Sequence, residues 1–361
     1  MSERPAPLVS VVVVLYNSRD HLDECLAALE ADTASPAFEV WVVDNASADG
    51  GAELAEARAH GWPRLQVLRN PVNRGYAGGV NTALPRLRGE FVAVLNPDCV
   101  VTPGWLGPLV DCLRAHPAAG AVNPVLLLNE DAPAPRLNAA GQDVHVTGLG
   151  FNRGLWRPRA WAGREPHVVS GLQGGAFLIR RALLEQMGGW DESGFLYHED
   201  VELSWLAQLM GHDLYCAPAS AVWHRYHLTM YPEKLFLLER NRWAMLATHL
   251  RAGARWALAP LLLVTEALMW MYCLLRGPEF LQAKWASCRW VLGRAAELRR
   301  RREQVEALRR RTDRELLARL RWNYAWDQFF SLGRERGPSQ RRPAGGMPVS
   351  LDGPGQATGR Q

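Results

Sequence analysis

Polar residues gather at three places where the hydrophobic pattern predicts a β-strand to end. They are Tyr16-Asn17 behind the apolar run Val9–Leu15, Asp44-Asn45-Ala46-Ser47 behind Phe38–Val43, and Asn96-Pro97-Asp98 behind Phe91–Leu95. Asx and Ser residues make turns after strands in any protein. Three such clusters converging on one sheet edge are more than turn-making requires, and in a doubly wound sheet ligands bind beyond that edge. The turn after the first strand reads Leu15-Tyr16-Asn17-Ser18-Arg19, without the glycine fingerprint of dinucleotide binders, and no phosphate-cradling G-x-x-x-x-G-K-[ST] occurs. Both absences weaken dehydrogenase and P-loop readings. The six cysteines show no C-x-x-C pair and no zinc spacing, which suits a reducing compartment and argues against a disulfide framework.

The elements that must position these clusters alternate through the first 125 residues. Val9–Leu15 is β-branched and apolar throughout, as in a strand covered on both faces. It follows Arg4 without a small-residue cleavage site, so it reads as a strand and not as a signal peptide. Asn17 or Ser18 is placed to cap a helix through Leu22, Leu26 and Leu29. Further strands are expected at Phe38–Val43, Leu65–Leu68 and Phe91–Leu95. The intervening helices are expected at Ala52–His60 and Gly79–Leu87, with another beginning near Pro103. This order implies a mostly parallel sheet with helices on both faces. Residues 126–168, rich in Pro, Gly and Asn, read as an irregular excursion. Regular structure is expected again at Gly175–Ile179 (strand), Arg181–Met187 and Glu199–Met210 (helices), Asp213–Cys216 (strand) and Arg294–Arg321 (a basic helix).

The chain of 361 residues carries a net charge of +4, unevenly placed. Residues 284–321 hold 13 basic and 5 acidic side chains, which leaves residues 1–283 net negative. An acidic body lacks the basic footprint of a nucleic-acid-binding domain. Of all the basic residues only Lys234 and Lys284 are lysines.

Taken together, the motifs resemble inverting glycosyltransferases of family 2, with the GT-A fold, near the rhamnosyltransferase-like branch. The residues that carry the resemblance are Val11–Asn17, Val42–Gly50, Asn73-Arg74-Gly75-Tyr76-Ala77-Gly78-Gly79-Val80-Asn81 and Asn96-Pro97-Asp98. They continue with Gly174–Phe177, Gly188–Glu192 and His198-Glu199-Asp200-Val201-Glu202, and the resemblance covers about residues 8–250. It implies an α/β, Rossmann-like GT-A fold, a nucleotide-diphosphate sugar donor and a divalent cation, Mg²⁺ or Mn²⁺. Asp44 resembles the acid that recognises the base, with Tyr16, Asn17 and Asn45 in the same nucleoside pocket. Arg74 would approach the base or diphosphate, and Gly75 would let the backbone come close. Asp98 resembles the second acid of a D-x-D metal motif. Asn96 departs from the first, so the site brings one carboxylate, and Asn96 would coordinate through its carbonyl or bond the ribose. His224 resembles a histidine that completes the metal shell in some relatives, with His227 three residues on. Asp200 resembles the base that takes the proton from the acceptor hydroxyl, in a Glu199-Asp200 pair that also complements a helix N-terminus. Gly175, Trp190 and Glu199 would face the acceptor or sugar. Arg240 and Arg242, in a run like a family element near the diphosphate, read equally well as a solvated helix face.

Trp256–Leu275 is an apolar run long enough to span a bilayer, yet Pro260 interrupts it and Glu266 sits at its centre. A single span would place the body and the basic helix on opposite sides, against the positive-inside tendency. The run is therefore expected to lie in the interface of a membrane, with arginines meeting anionic lipid, and a soluble helical lid is the alternative. The expected organisation is a catalytic domain over 1–250, a membrane-associated helical extension over 251–332, and a disordered tail over 333–361 with 11 Gly and Pro in 29 residues. The function expected from the resemblance is transfer of a sugar, such as rhamnose from dTDP-rhamnose, to a cell-surface glycan or lipid-linked acceptor. The protein would be cytoplasmic and peripheral on the inner face of the cell membrane. Hexosyl transfer from a UDP-sugar, a non-catalytic scaffold, and nucleic-acid binding through residues 294–321 are the competing readings.

Overall fold

The computed structural model describes residues 6–128, 134–225 and 229–331. The tail 333–361 and His227 lie outside the described residues. The described chain forms two compact units. The first opens with β1 (Val9–Leu15), buried along its whole length, as β-branched residues on a strand covered from both sides should be. α1 (Arg19–Ala31) follows and buries Leu22, Cys25, Leu26 and Leu29 on one face. Ser18 stands before it without capping it, because its hydroxyl bonds the Tyr16 carbonyl at 3.0 Å. Next come β2 (Phe38–Asp44), α2 (Gly51–Gly61), β3 (Leu65–Arg69), α3 (Gly75–Ala83), β4 (Phe91–Leu95), β5 (Cys99–Val101) and α4 (Leu106–Ala115). β6 (Ala119–Leu128), β7 (Arg136–Ala139), β8 (Gln142–Val144), β9 (Gly150–Asn152) and β10 (His167–Val168) precede β11 (Ala176–Arg180), α5 (Arg181–Met187), α6 (Glu199–Leu209) and β12 (Asp213–His224).

Ten of these strands form one sheet in the order β10-β12-β6-β11-β4-β1-β2-β3, with β5 paired to β12 and β7 to β6. β1 is parallel to β2 and β4, β2 to β3, and β6 to β12, whereas β11 runs antiparallel between β4 and β6. The sheet, expected to be mostly parallel, has its parallel run at β4-β1-β2-β3 and is mixed beyond it, with β11, β5, β7 and β10 all paired antiparallel. The carboxyl ends of β1, β2 and β4 lie on one edge, so their three polar clusters share it.

Three elements differ from expectation. α3 spans Gly75–Ala83 and not 79–87, and a 3₁₀ turn at Leu84–Arg86 takes up Pro85. Glycine is a poor helix former, but a Cβ at Gly79 would stand 2.5 Å from a Val14 methyl, so the small residue lets α3 lie on β1. β12 runs on to His224, eight residues beyond the expected end, because its ladder with β6 resumes at Ala221 after an irregular stretch containing Pro218. The basic segment is two helices, not one.

The second unit comprises α7 (Pro232–His249), α8 (Ala252–Arg276), α9 (Pro278–Leu292), α10 (Ala295–Leu308), α11 (Asp313–Leu317) and α12 (Trp326–Ser331), together with the segment His145–Leu149. α7, assigned by expectation to the first domain, packs against α9 and α10. Thr312 starts α11 afresh through a capping box with Glu315, which explains the break in the basic run. Arg242 on α7 is buried, not solvated. It bonds Glu239 at 2.7 Å and also Glu266 on α8. Lys284 on α9, fully buried, pairs with Glu239 and, at 2.7 Å, with Glu266. Two acids and two bases therefore close a neutral tetrad inside this unit, with the Trp243 indole N–H donating to Glu266 at 3.0 Å. Arg240 is buried as well, its guanidinium over the rings of Phe236 and Trp290.

Candidate active site

The first unit gathers the chemistry at the sheet edge, around Gly174 and Gly175 just before β11. The Gly174 N–H donates to Asp200 Oδ2 at 3.0 Å, and Gln142 on β8 donates to the same oxygen at 2.8 Å. Asp200 Oδ1 accepts from the Val201 N–H at the start of α6. On the other side, the Gly175 carbonyl accepts from the Asn96 N–H at 2.8 Å and from the Cys99 thiol. A Cβ on Gly174 would sit 3.2 Å from Asp200 Oδ2, and one on Gly175 would sit 3.1 Å from the His224 ring. Two adjacent glycines thus bring a carboxylate and a histidine close to one backbone segment.

Asp98, Cys99 and His224 place their ligating atoms within 4.8 Å of one another. Asp98 Oδ1 is buried and has no hydrogen-bond partner, and His224 Nε2 lies 3.5 Å from it. Burial works against ionising Asp98, but a proton on the His224 ring, turned toward the carboxyl, more than offsets it and holds the carboxyl below its usual range; a bound cation would take the place of that proton. A buried carboxylate oxygen facing an imidazole nitrogen suits a divalent cation, so these residues fit the expected metal. Cys99 is a poor third ligand. Burial pushes its thiol far above the usual range, and the S–H is donated to Gly175. Asn96, expected to coordinate through its carbonyl or to bond the ribose, is held in place by Tyr76. Its Oδ1 accepts from the Tyr76 hydroxyl at 2.7 Å.

Asp200 and Glu199 share the first turn of α6. Burial pushes Asp200 up to about 6, even though the backbone N–H groups of Val201 and Gly174 favour its ionised form. Burial, and then the neighbouring Asp200 charge, push Glu199 up to about 8. Glu199 Oε2 is buried without a hydrogen-bond partner. The two carboxyls therefore titrate together above the usual carboxylate range, and Asp200 is the one whose ionised form the Val201 and Gly174 N–H groups favour.

The nucleoside-side residues form a connected set. Asn17 takes a left-handed backbone (φ 46°), donates its N–H to the Ser47 hydroxyl oxygen and accepts the Ala48 N–H on its side chain. Asp44 is buried and accepts from the Ser47 N–H at 3.1 Å. Tyr16 continues this loop from β1. Asn45 serves as internal scaffolding, since its amide donates to the Gly75 carbonyl and accepts from Asn70.

Three expectations are corrected by the geometry. The Arg74 guanidinium is engaged by both oxygens of Glu192, at 2.7 and 2.8 Å, and by Thr82, instead of being held toward a diphosphate. Gly75 is needed for close approach to protein, because a Cβ there would stand 2.1 Å from the Phe195 carbonyl, to which the Tyr76 N–H also bonds. Trp190 is buried, with its ring against Tyr76 and Phe177, and so does not offer a face to sugar.

Sequence reasoning missed several residues. Tyr76 was read only as part of a motif, yet its phenol and amide connect Asn96 with the segment before α6. Gln142 and Asn138 lie in the irregular excursion and carried no pattern. Phe195, Tyr197 and His198 all have positive φ (60°, 64° and 72°) immediately before Glu199. Such conformations cost roughly 1–3 kcal/mol each and cluster at functional sites.

Comparison with known proteins adds independent information. Residues 10–188 match Glycosyl transferase family 2. Over 250 residues the chain is 32% identical to the N-acetylglucosaminyl-diphospho-decaprenol L-rhamnosyltransferase of Mycobacterium tuberculosis, covering 62% of this chain and 78% of that protein. The chain belongs to glycosyl transferase family 2. Among solved structures, this glycosyltransferase is similar to GalNAc-T7 bound to UDP, GalNAc and Mn²⁺, with a TM-score of 0.61 and 18% identity over 88% of this chain and 57% of that one. It is also similar to the mannosyltransferase PcManGT of Pyrobaculum calidifontis bound to GDP-Man and Mn²⁺, with a TM-score of 0.51 and 20% identity over 84% and 86% of the two chains. These likenesses confirm the expected GT-A architecture of the family 2 enzyme.

Proposed function

We propose that this glycosyltransferase moves rhamnose from dTDP-rhamnose to a lipid-linked, GlcNAc-bearing acceptor, with inversion at the anomeric carbon. The observation that carries the catalytic reading is the half-buried Asp200 carboxylate, held by the Gly174 N–H and Gln142, with His224 against the adjacent Gly175. The rhamnosyltransferase relative supports the choice of sugar and acceptor. The acceptor oxygen attacks the anomeric carbon, and its proton passes to Asp200. The bond from that carbon to the diphosphate oxygen breaks, and the nucleoside diphosphate leaves with the electron pair. Asp98 and His224 would hold Mg²⁺ or Mn²⁺, which supplies charge neutralisation for the departing diphosphate. Asp44, with Tyr16 and Asn17, would line the nucleoside pocket. A thermal-shift screen of nucleotide sugars with and without Mn²⁺ tests the reading. A selective shift with dTDP-rhamnose supports it, and a selective shift with a UDP-hexose replaces the sugar.

The pH profile follows from the carboxyl pair. Asp200 must be ionised to accept a proton, so kcat should fall about tenfold per pH unit below about 6. Glu199→Gln, which preserves a neutral side chain, should keep that acid limb and remove any change in rate near pH 8. An acid limb displaced by a full unit in Glu199→Gln would contradict the division of roles.

We further propose that the enzyme is cytoplasmic and peripheral on the inner face of the cell membrane. α8 is long and apolar enough to cross a bilayer by length and composition. Only one face of it is buried, through Leu258, Leu262, Thr265, Met269 and Cys273. Trp256 and Leu275 are 79% exposed, Leu263 is 70% exposed, and Leu274 and Trp285 are also open to solvent. Glu266 is held by Arg242 and Lys284, so a spanning α8 would carry a charge cluster into the bilayer core. This supports α8 lying in the plane of one leaflet. Full-length protein should cosediment with anionic vesicles, and replacing Trp256, Leu274 and Leu275 together by Ser should weaken that binding tenfold or more. Each large apolar side chain contributes roughly 1.5–3 kcal/mol when buried. Wild-type protein that stays in the supernatant would contradict membrane association.

A further inference from the structure

The Asp98–His224 pair depends on the direction in which the imidazole presents its lone pair, and one residue outside every motif is placed to set it. Asn138 lies on β7, next to β6 in the sheet, while His224 ends β12 on the opposite side of β6. In the ladder of β6 and β7, Leu126 faces Ala139 and Leu127 faces Leu137, so Asn138 is the extra residue of a β-bulge. Bulges re-aim a side chain and recur next to active sites. Here the bulged side chain reaches the histidine, with Asn138 Oδ1 lying 2.9 Å from His224 Nδ1. Both residues are buried, Asn138 completely.

An amide oxygen opposite Nδ1 accepts a hydrogen bond, so it favours the N–H on that nitrogen. A neutral imidazole has a single N–H, and its lone pair then sits on Nε2. Nε2 is the atom 3.5 Å from Asp98 Oδ1, the buried oxygen without a hydrogen-bond partner. Histidines that bind metals through one nitrogen commonly donate the other N–H to a carbonyl or carboxylate, and that partner fixes both tautomer and ring orientation.

We propose that Asn138 is a positioning residue of the cation site, holding His224 in the tautomer and orientation that turn its Nε2 lone pair toward Asp98. The proposal rests on the reading of Asp98 and His224 as cation ligands. It explains why an irregular strand, outside every recognised motif, buries an amide beside the active site.

The test is direct Mn²⁺ binding to the full chain, read by the paramagnetic resonance of free Mn²⁺ in the presence of dTDP. Wild type, Asn138→Ala, Asn138→Asp and His224→Gln are compared, with circular dichroism and Tm as controls on folding. Asn138→Ala should weaken Mn²⁺ about 10–100-fold. Asn138→Asp retains an acceptor toward Nδ1 and should bind at least as tightly as wild type. The rate lost in Asn138→Ala should return at high Mn²⁺, so its effect falls on the apparent metal constant more than on kcat. Wild-type affinity in Asn138→Ala would overturn the proposal, as would a folded Asn138→Asp as weak as the alanine variant. Unchanged affinity in His224→Gln, or no binding by wild type, would overturn the cation site and the proposal with it.

Discussion

Asp200→Asn should lower the rate of sugar transfer by about 10²–10⁴-fold while the nucleotide sugar still binds, because a positioned general base contributes about that factor. The substitution changes little else. The side chain keeps its shape, and its remaining oxygen can still accept from Gly174 and Gln142, while only the bond from the Val201 N–H to the other oxygen is lost. What disappears is the capacity to take up the acceptor's proton. Single-turnover transfer, measured beside donor affinity, separates the two effects. A loss in kcat at constant donor affinity is expected, and a variant within tenfold of wild type would place the base elsewhere. Burial raises Asp200 to about 6, which keeps it ionised at neutral pH yet basic enough to compete for a hydroxyl proton in the transition state.

The second large effect is on stability. Lys284→Met should destabilise the second unit by roughly 3–5 kcal/mol, the usual cost of leaving a buried charge without its partner. Glu239 and Glu266 would then share Arg242 alone. The same tetrad gives a pH dependence. Burial works against ionising Glu239, but Arg242 and Lys284 outweigh it and hold the carboxyl down to about 2, below the ordinary value of 4.5. A depressed acid stabilises the fold above its unfolded value. That contribution is present at neutral pH and is lost as pH falls from about 4.5 toward 2. Urea unfolding of Lys284→Met should show both the lower midpoint and a weaker response to acid in this range. The double variant Lys284→Met with Glu266→Leu restores charge balance to Glu239 and Arg242, so it should recover part of the loss. A Lys284→Met midpoint equal to that of wild type would mean that the tetrad does not stabilise the unit.

Much of the fold was legible because it rests on local pattern. Val9–Leu15 declared a doubly covered strand by composition alone, and its limits match the structure. Leu22, Leu26 and Leu29 gave α1 its buried face. The polar clusters after β1, β2 and β4 marked the functional edge, since parallel strands align their carboxyl ends. What the sequence hid depends on contacts distant along the chain. Gly75 was expected to make room for the donor, and Gly79 only to open a helix, until Phe195 and Val14 showed what they make room for. Arg242 looked solvated because the element that buries it is remote in sequence: beyond the nearby Glu239, its partner Glu266 lies 24 positions away on α8. Trp190 looked like a sugar platform until Tyr76 and Phe177 covered it. Gln142 and Asn138 had no periodicity to announce them, because they sit on short strands within the excursion.

The central claim is a single displacement assisted by Asp200, and the configuration of the product tests it most directly. Full-length enzyme would be incubated with dTDP-rhamnose and a GlcNAc-diphospho-polyprenol, and the anomeric centre of the transferred sugar read by NMR. The account predicts the configuration opposite to that of the donor, formed by wild type and not by Asp200→Asn. A product that retains the donor's configuration would contradict it.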